Sequence, residues 1–407
     1  MLTRRSTAPL DAWGLAALAR GLEGVPIRLV LWNGLSRLAC PGIPLADIVI
    51  HDRATLWRLL RNPDLAFGEG YTDGRVTVDG DLVGWMTRLA GRFEVQRVPR
   101  LRLLLRARGG GRAGRAARNA RHHYDLGNDF YRLWLDDGMV YTCAYFESAD
   151  QSLEDAQRAK HEYVARKLAL RPGERVFEAG SGWGALAIHL AREHHVSVRA
   201  WNVSHEQVRW ATDRARALGL EHQVEFVEGD YRTMSGTCDA FVSVGMLEHV
   251  GASHYTELGQ VMDRTLDPRH GRGLLHFIGR NRPEPMGHWI SRHIFPGAYV
   301  PSLREVLERV TEPAGFSVLD VENLRPHYAL TLGHWLERFD AAAPEVTARF
   351  GERFTRMWRL YLAEAQAGFR GGSLQLFQVL FSRAGCRSLP LTRAALHQPD
   401  AAPGRPS

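Results

Sequence analysis

With 407 residues, 45% of them apolar and 9% aromatic, the chain can bury a large core and reads as a folded, two-domain protein rather than a disordered one. A formal charge of +7 invites a nucleic-acid reading, but Arg100 through Arg121 hold eight arginines and no acid, and taking those eight away leaves the rest at −1. The scattered Cys40, Cys143, Cys238 and Cys386 have no metal spacing and read as reduced thiols, and no apolar run reaches the roughly 18 residues of a spanning helix.

The opening MLTRRSTAPLDAWGLAALAR contains Asp11 and Arg20, which leave too short an apolar stretch for a secretion signal. A cytoplasmic protein with peripheral membrane contact is therefore expected. Through residues 1–95, short apolar runs (VPIRLVLW, ADIVIHD, RVTVDG) mix with helix-like pieces (ATLWRLLRNP, DLVGWMTRLA), which predicts a small α+β domain. Residues 96–120 include RARGGGRAGRAARNA, an Arg/Gly-rich linker whose charge suits an anionic surface such as lipid headgroups. Residues 121–388 then alternate strands and helices. The strands are VFEAG (176–180), VSVRAWN (196–202), VEFVEGD (224–230), CDAFVSVG (238–245), GLLHFIG (273–279) and SVLDVENL (317–324). Such alternation predicts an α/β fold with a doubly wound, mostly parallel, Rossmann-like sheet. The proline- and alanine-rich tail, 389–407, is expected to fray.

Within VFEAGSGWGALAIHL (176–190), Gly180, Gly182 and Gly184 follow the first strand of that alternation. A P-loop needs Gly-Lys-Ser/Thr, and no lysine is near; a dinucleotide turn needs a third glycine where Ala185 stands. A wide turn with Glu178 before it suits a bulky ligand carrying a cationic group. S-adenosylmethionine meets that description, with its amino group toward an acid and its sulfonium toward an aromatic face such as Trp183. Asp230 ends a later strand and is placed to accept from an adenine amino group. Asn202, with Gln207 about one helical turn on, stands where nucleoside-binding folds hold a ribose with an acid. The plain reading of the same glycines is a structural turn with no ligand.

Five stretches carry a family likeness: HHYDLGNDFYRLWLDDGMVYTCAYF (122–146), VGMLEHVG (244–251), LLHFIG (274–279), IFPGAYVPSL (294–303) and MWRLYLAEAQAGFRGGSLQLFQVLFSR (357–383). They resemble the cyclopropane-fatty-acyl-phospholipid synthases and the related mycolic acid cyclopropane synthases, which are S-adenosylmethionine-dependent methyltransferases. AFGEGYTDGRV (66–76) resembles the N-terminal lipid-associating domain of the longer synthases, which favours the phospholipid branch. The resemblance implies methylene transfer from S-adenosylmethionine to a cis double bond of an unsaturated phospholipid, through a carbocation whose proton goes to a bound bicarbonate ion. By motif match the bicarbonate holders are Cys143, Glu248, His276, Ile278 and Tyr328. The methyl-donor positions are Tyr141, Thr142, Glu178, Ala179, Gly180, Ser181, Gly182, Trp183, Gly184, Asn202, Val203, Gln207, Asp230 and Tyr231. The partners implied are unsaturated phospholipid in an anionic membrane surface, with homodimerisation left open and no nucleic acid or metal expected.

A carbocation in an apolar cleft is strongly acidic, so a weak base suffices and water must be excluded. Tyr145, Phe146, Trp289 and Tyr299 are candidates to face that cation. Each site residue has a plain alternative. Cys143 reads as a buried small hydrophobe, His276 as a core histidine, Glu248-His249 as a helix start and Tyr328 as a surface tyrosine. The family commonly has cysteine where this chain has Ser181, and many members have one where Ala365 stands, so no scheme with a nucleophilic thiol at 365 applies here. The rival products are a methyl- or methylene-branched lipid or an N-methylated small molecule on the same scaffold. A binding protein with an inactive core would be expected to have lost Glu248, His276 or the glycine turn.

Overall fold

The computed structural model describes residues 8–95, 126–386 and 392–397; the Arg/Gly-rich linker lies outside them. Contacts divide the chain into two compact units: Met1–Pro99 with Gly287–Ile294 and Leu332–Ser373, and Arg100–Met286 with Phe295–Thr331 and Leu374–Ser407. Boundaries drawn along the sequence, 1–95 and 121–388, miss this interleaving. The helix Arg325–Phe350 from Leu332 onward and all of Glu352–Gly371 count with the N-terminal unit.

In that unit β1 (Ile27–Leu31), β2 (Ser36–Leu38), β3 (Ala46–Ile50) and β4 (Val76–Gly80) form a sheet in the order β2-β1-β3-β4. Every second residue is buried in β1 (Ile27, Leu29, Leu31) and in β3 (Ala46, Ile48, Ile50), the alternation of a sheet packed on one face. Helix Arg53–Arg61 begins at Asp52, whose side chain accepts from the Thr55 N–H at 2.8 Å. In the next helix, Pro63–Thr72, a Cβ on Gly68 would lie 2.2 Å from Trp289 Cγ. Trp289, 1% exposed, therefore belongs to the packing of this unit and is not a residue facing a cation.

The larger unit holds β5 (Arg175–Ala179), β6 (Ser197–Asn202), β7 (Val224–Glu228), β8 (Ala240–Val244), β9 (Arg272–Gly279), β10 (Ser317–Asn323) and β11 (Gln375–Ser382), ordered β10-β11-β9-β8-β5-β6-β7. Neighbours from β7 to β9 pair in parallel, and β11 runs antiparallel to both β9 and β10. Both faces are covered. Phe177, Phe241, Leu275 and Phe381 join one apolar core, while Val176, Val198, Val242 and Leu274 join the other with helices Leu153–Leu168 and Ala185–His194. Double coverage explains why β8 reads as an unbroken apolar run. The six strands read from the sequence are β5 to β10. The antiparallel β11, within the last family stretch, was not read as one.

Within the proline- and alanine-rich tail, residues 392–397 are described and packed. Ala394–His397 forms a helical turn, Leu396 is buried, its carbonyl accepts from Arg166 at 3.3 Å, and Arg393 pairs with Asp320. One apolar anchor and one ion pair hold this stretch; the rest of the expected tail, 389–391 and 398–407, lies outside the described residues.

Candidate active site

The glycine turn leaves the carboxyl end of β5, where parallel α/β sheets place their ligands. Gly182 has φ +53° and nothing within 4 Å of where a Cβ would stand, so its backbone is open to a ligand. Gly184 has φ +82°, and a Cβ there would fall 2.5 Å from Phe226 Cζ. It lets helix Ala185–His194 start close against β7. Tyr141, Thr142, Glu178, Gly180, Ser181, Gly182, Trp183, Asn202, Val203, Gln207, Asp230 and Tyr231 all line one cavity; Ala179 and Gly184 do not.

Hydrogen bonds among these residues fix the cavity wall. Asn202 donates to the Gly182 carbonyl (3.1 Å) and to Gln207 Oε1 (2.8 Å), tying the end of β6 to the turn. Trp183 donates to Asn128 Oδ1 at 2.7 Å and packs its ring 5.0 Å from Tyr131. Asp230 accepts from the Arg232 N–H (3.0 Å) and pairs with its guanidinium (2.8 Å), a partner the sequence reading did not foresee. At the inner end, burial pushes the Glu178 carboxyl up and the Lys160 ammonium down, and each partly offsets the other. Glu178 Oε2 and Ser181 Oγ are buried without a hydrogen-bond partner.

A second cluster starts where β8 stops. The last parallel register pair is Val244 with His276. Beyond it, Glu248 Oε1 accepts from the Ile278 N–H at 2.5 Å and so replaces the missing ladder acceptor. Glu248 sits on the helical turn Leu247–Val250, capped by Met246, and Met246, His249 and Val250 belong to the cavity wall. Burial raises its carboxyl to about 7, and its Oε2 has no hydrogen-bond partner. Burial also lowers His276 well below its usual value and keeps the imidazole neutral. Its Nδ1 lies 3.0 Å from the Gln378 amide, directly across the β9–β11 register. With that amide donating, Nε2 carries the hydrogen, and Nε2 is buried without a hydrogen-bond partner.

Cys143 is fully buried and its thiol is pushed above its usual range. It donates to the Ala144 carbonyl at 3.1 Å, and the Ala144 N–H donates to Thr331, one turn beyond Tyr328 on the helix Arg325–Phe350. Tyr328 is 9% exposed rather than on the surface. Cys143 and His276 share Lys160 as an electrostatic neighbour. Two expected donors to an anion are thus engaged within the protein: the Ile278 N–H by Glu248, and the thiol by its own backbone. Tyr145 stacks between Tyr163 (4.2 Å) and His327 (4.7 Å), and Tyr299 donates to Glu305 at 2.8 Å.

Gln378, Lys160 and Arg232 were missed in the sequence. Gln378 is signalled only by the alternation LQLFQVLF after the Gly371-Gly372 helix stop. Glu162, His189 and His194 also converge, His194 Nε2 lying 2.9 Å from Glu162 Oε2. Arg166 pairs with the other carboxylate oxygen at 3.0 Å, which makes the group an ion-pair network and opposes a cation.

The strand order, the antiparallel β11 and the glycine turn define the S-adenosylmethionine-dependent methyltransferase class of α/β enzyme. Residues 112–379 match the mycolic acid cyclopropane synthetase family, and the chain belongs to it. It is 37% identical over 362 residues to cyclopropane-fatty-acyl-phospholipid synthase of Escherichia coli (strain K12), across 88% of this chain and 93% of that protein. It is 34% identical over 391 residues to tuberculostearic acid methyltransferase UfaA1 of Mycobacterium tuberculosis, across 90% of each. The solved mycolic acid cyclopropane synthase CmaA1, complexed with SAH and CTAB, aligns at TM-score 0.62 and 31% identity over 65% of this chain and 98% of that one.

Proposed function

We propose that this enzyme takes a methylene unit from S-adenosylmethionine and adds it to the cis double bond of an unsaturated phospholipid acyl chain, giving a cyclopropane fatty acid. The observation that carries the reading is the turn 246–250. Its Met246, His249 and Val250 wall the glycine-turn cavity, while Glu248 between them keeps one buried, orphaned oxygen and binds with the other the N–H of Ile278, two residues along β9 from a histidine with an orphaned nitrogen.

S-adenosylmethionine fits the cavity. Glu178 Oε2 and Ser181 Oγ are unsatisfied polar atoms on its wall, and Gly182 leaves room for close approach. Bound there, the donor supplies an electrophilic methyl on sulfonium; the net change in the lipid is gain of CH2, with one proton released. Glu178 balances the donor's ammonium, and Asn202 with Gln207 meets the ribose. Bicarbonate fits the second cluster, because one neutral donor (His276 Nε2–H) and one acceptor (Glu248 Oε2) match an anion that carries its own hydroxyl. There it supplies a weak base for the released proton. Cys143, Ile278 and Tyr328 complete the enclosure and keep water out.

Substrate delivery is peripheral in this reading: no helix among the described residues is long and apolar enough to cross a membrane. The eight arginines of 100–121 then favour an anionic bilayer, and neutralising several should weaken vesicle binding and flatten its salt dependence. Unchanged binding would leave that segment a hinge.

A branched product is the second reading, favoured by the similarity to UfaA1. The deciding experiment incubates purified protein with labelled methyl donor and monounsaturated phospholipid vesicles, then analyses the fatty acids. A product heavier by CH2 without an alkene is the ring; one that retains an alkene is a methylene branch. Untouched lipid alongside alkylation of a soluble amine would overturn the proposal.

A further inference from the structure

Among 52 basic residues the chain has two lysines, Lys160 and Lys167. Arginine serves everywhere else, so lysine at these two positions calls for a physical reason. Both lie on the helix Leu153–Leu168 and both are buried, 2% and 4% exposed. Lys167 has its reason in an ion pair with Glu322 and contact with the Tyr163 ring at 4.7 Å. Among the described residues, Lys160 has no ion-pair partner within bonding distance. Its ammonium carries three donors and makes one hydrogen bond, to Thr142 Oγ1 at 3.0 Å. The nearest acids do not complete it: Asp136 accepts from the Gly138 and Val140 amides, and Glu178 acts on Lys160 only as an electrostatic neighbour. A buried ammonium with spare donors is costly unless something completes it.

Lys160 lines the same cavity as Thr142, Glu178 and Gly180. That cavity therefore offers a cation and an acid that sense each other electrostatically, complementary to a zwitterionic amino acid. We propose that Lys160, with the Thr142 hydroxyl it holds, binds the carboxylate of the donor's methionine moiety, opposite Glu178 at the ammonium; this rests on the methyl-donor reading of the cavity. A guanidinium, larger and planar, does not substitute for a compact ammonium in so closed a space.

The test compares two ligands by calorimetry on the full chain: S-adenosylhomocysteine and its decarboxylated analogue, which keeps the amine and lacks only the carboxylate. Wild type should prefer S-adenosylhomocysteine by about 10- to 100-fold, the range for a charge-assisted contact. In Lys160→Met that preference should collapse, while affinity for the decarboxylated analogue stays within about twofold. Equal weakening of both ligands would mean that Lys160 only supports the fold, and unchanged preference would remove it from the site; either result overturns the proposal. Should Lys160→Met fail to fold, Thr142→Val carries the same comparison, with a smaller expected collapse. If wild type binds neither ligand, the donor reading itself fails, an outcome distinct from the other two.

Discussion

The glycine-turn cavity and the Glu248–His276 cluster adjoin through one short turn, yet they are built in opposite ways. The cavity is shaped by backbone: left-handed glycines, strand ends, and side chains such as Asn202 and Asp230, which bond Gln207 and Arg232 respectively. The cluster is shaped by burial, which raises Glu248, keeps His276 neutral, and leaves one polar atom of each without a partner. A binding surface made by the main chain tolerates side-chain exchange. A site made of unsatisfied buried groups does not, because its function lies in those atoms.

The sharpest way to break this contrast is Glu248→Gln. Turnover should fall by about a hundred- to ten-thousand-fold, with affinity for S-adenosylhomocysteine changed by less than about twofold. Single-turnover product analysis and calorimetry read the two quantities separately. Loss of both together would mean that the regions are one site. The wild-type rate should also rise with pH through about 7, because Glu248 accepts a hydroxyl hydrogen only as the carboxylate. A rate flat from pH 6 to 8 would take its ionisation out of the reaction.

Gly184→Ala and Gly182→Ala test the backbone side of the comparison. The first puts a methyl into Phe226 at a left-handed φ and should destabilise by about 2–4 kcal/mol, read by urea unfolding. The second meets open space and should cost only about 1–2 kcal/mol for its φ, while weakening donor binding more strongly. Reversal of that ranking would mean that Gly182 is the packing residue.

The same contrast sets how much was legible in the sequence. The strand–helix alternation and the Gly180–Gly184 spacing are local patterns, so β5 to β10 and the glycine-turn part of the cavity wall, with Asn202, Gln207 and Asp230, could be read directly. The division of the chain into units could not, because the helix Glu352–Gly371 carries no mark of the unit it joins. Nor could Gln378: β11 becomes a strand by pairing with β9, roughly a hundred residues earlier in the chain. Glu248, His276 and Tyr328 were reached through the family likeness alone, since what distinguishes them is burial, with one unsatisfied polar atom each on Glu248 and His276, and no residue pattern encodes that. The Trp289 expectation failed because an aromatic side chain looks the same whether it faces a substrate or fills the space above Gly68.

The smallest expected effect concerns Glu178, a side chain of the backbone-built region that shares the buried character of the other. Burial raises its carboxyl from 4.5 to about 8, with Lys160 pulling the other way. A folded value above the unfolded one means that its favourable contribution is complete below about pH 4.5 and is lost as pH rises through about 8. Glu178→Gln cannot ionise, so the ligand-free variant should gain on wild type across that window. We expect about 1–2 kcal/mol by pH 8.5, roughly 1–2 °C in the thermal midpoint for a chain of this length. At pH 5 the two should unfold together. Saturating S-adenosylhomocysteine should reverse the difference at pH 8.5, because its ammonium completes the carboxylate in wild type and finds only an amide in the variant. A stability difference that ignores both pH and ligand would make Glu178 an ordinary buried polar residue, and the contrast between the backbone-built cavity and the burial-built Glu248–His276 cluster would then be sharper.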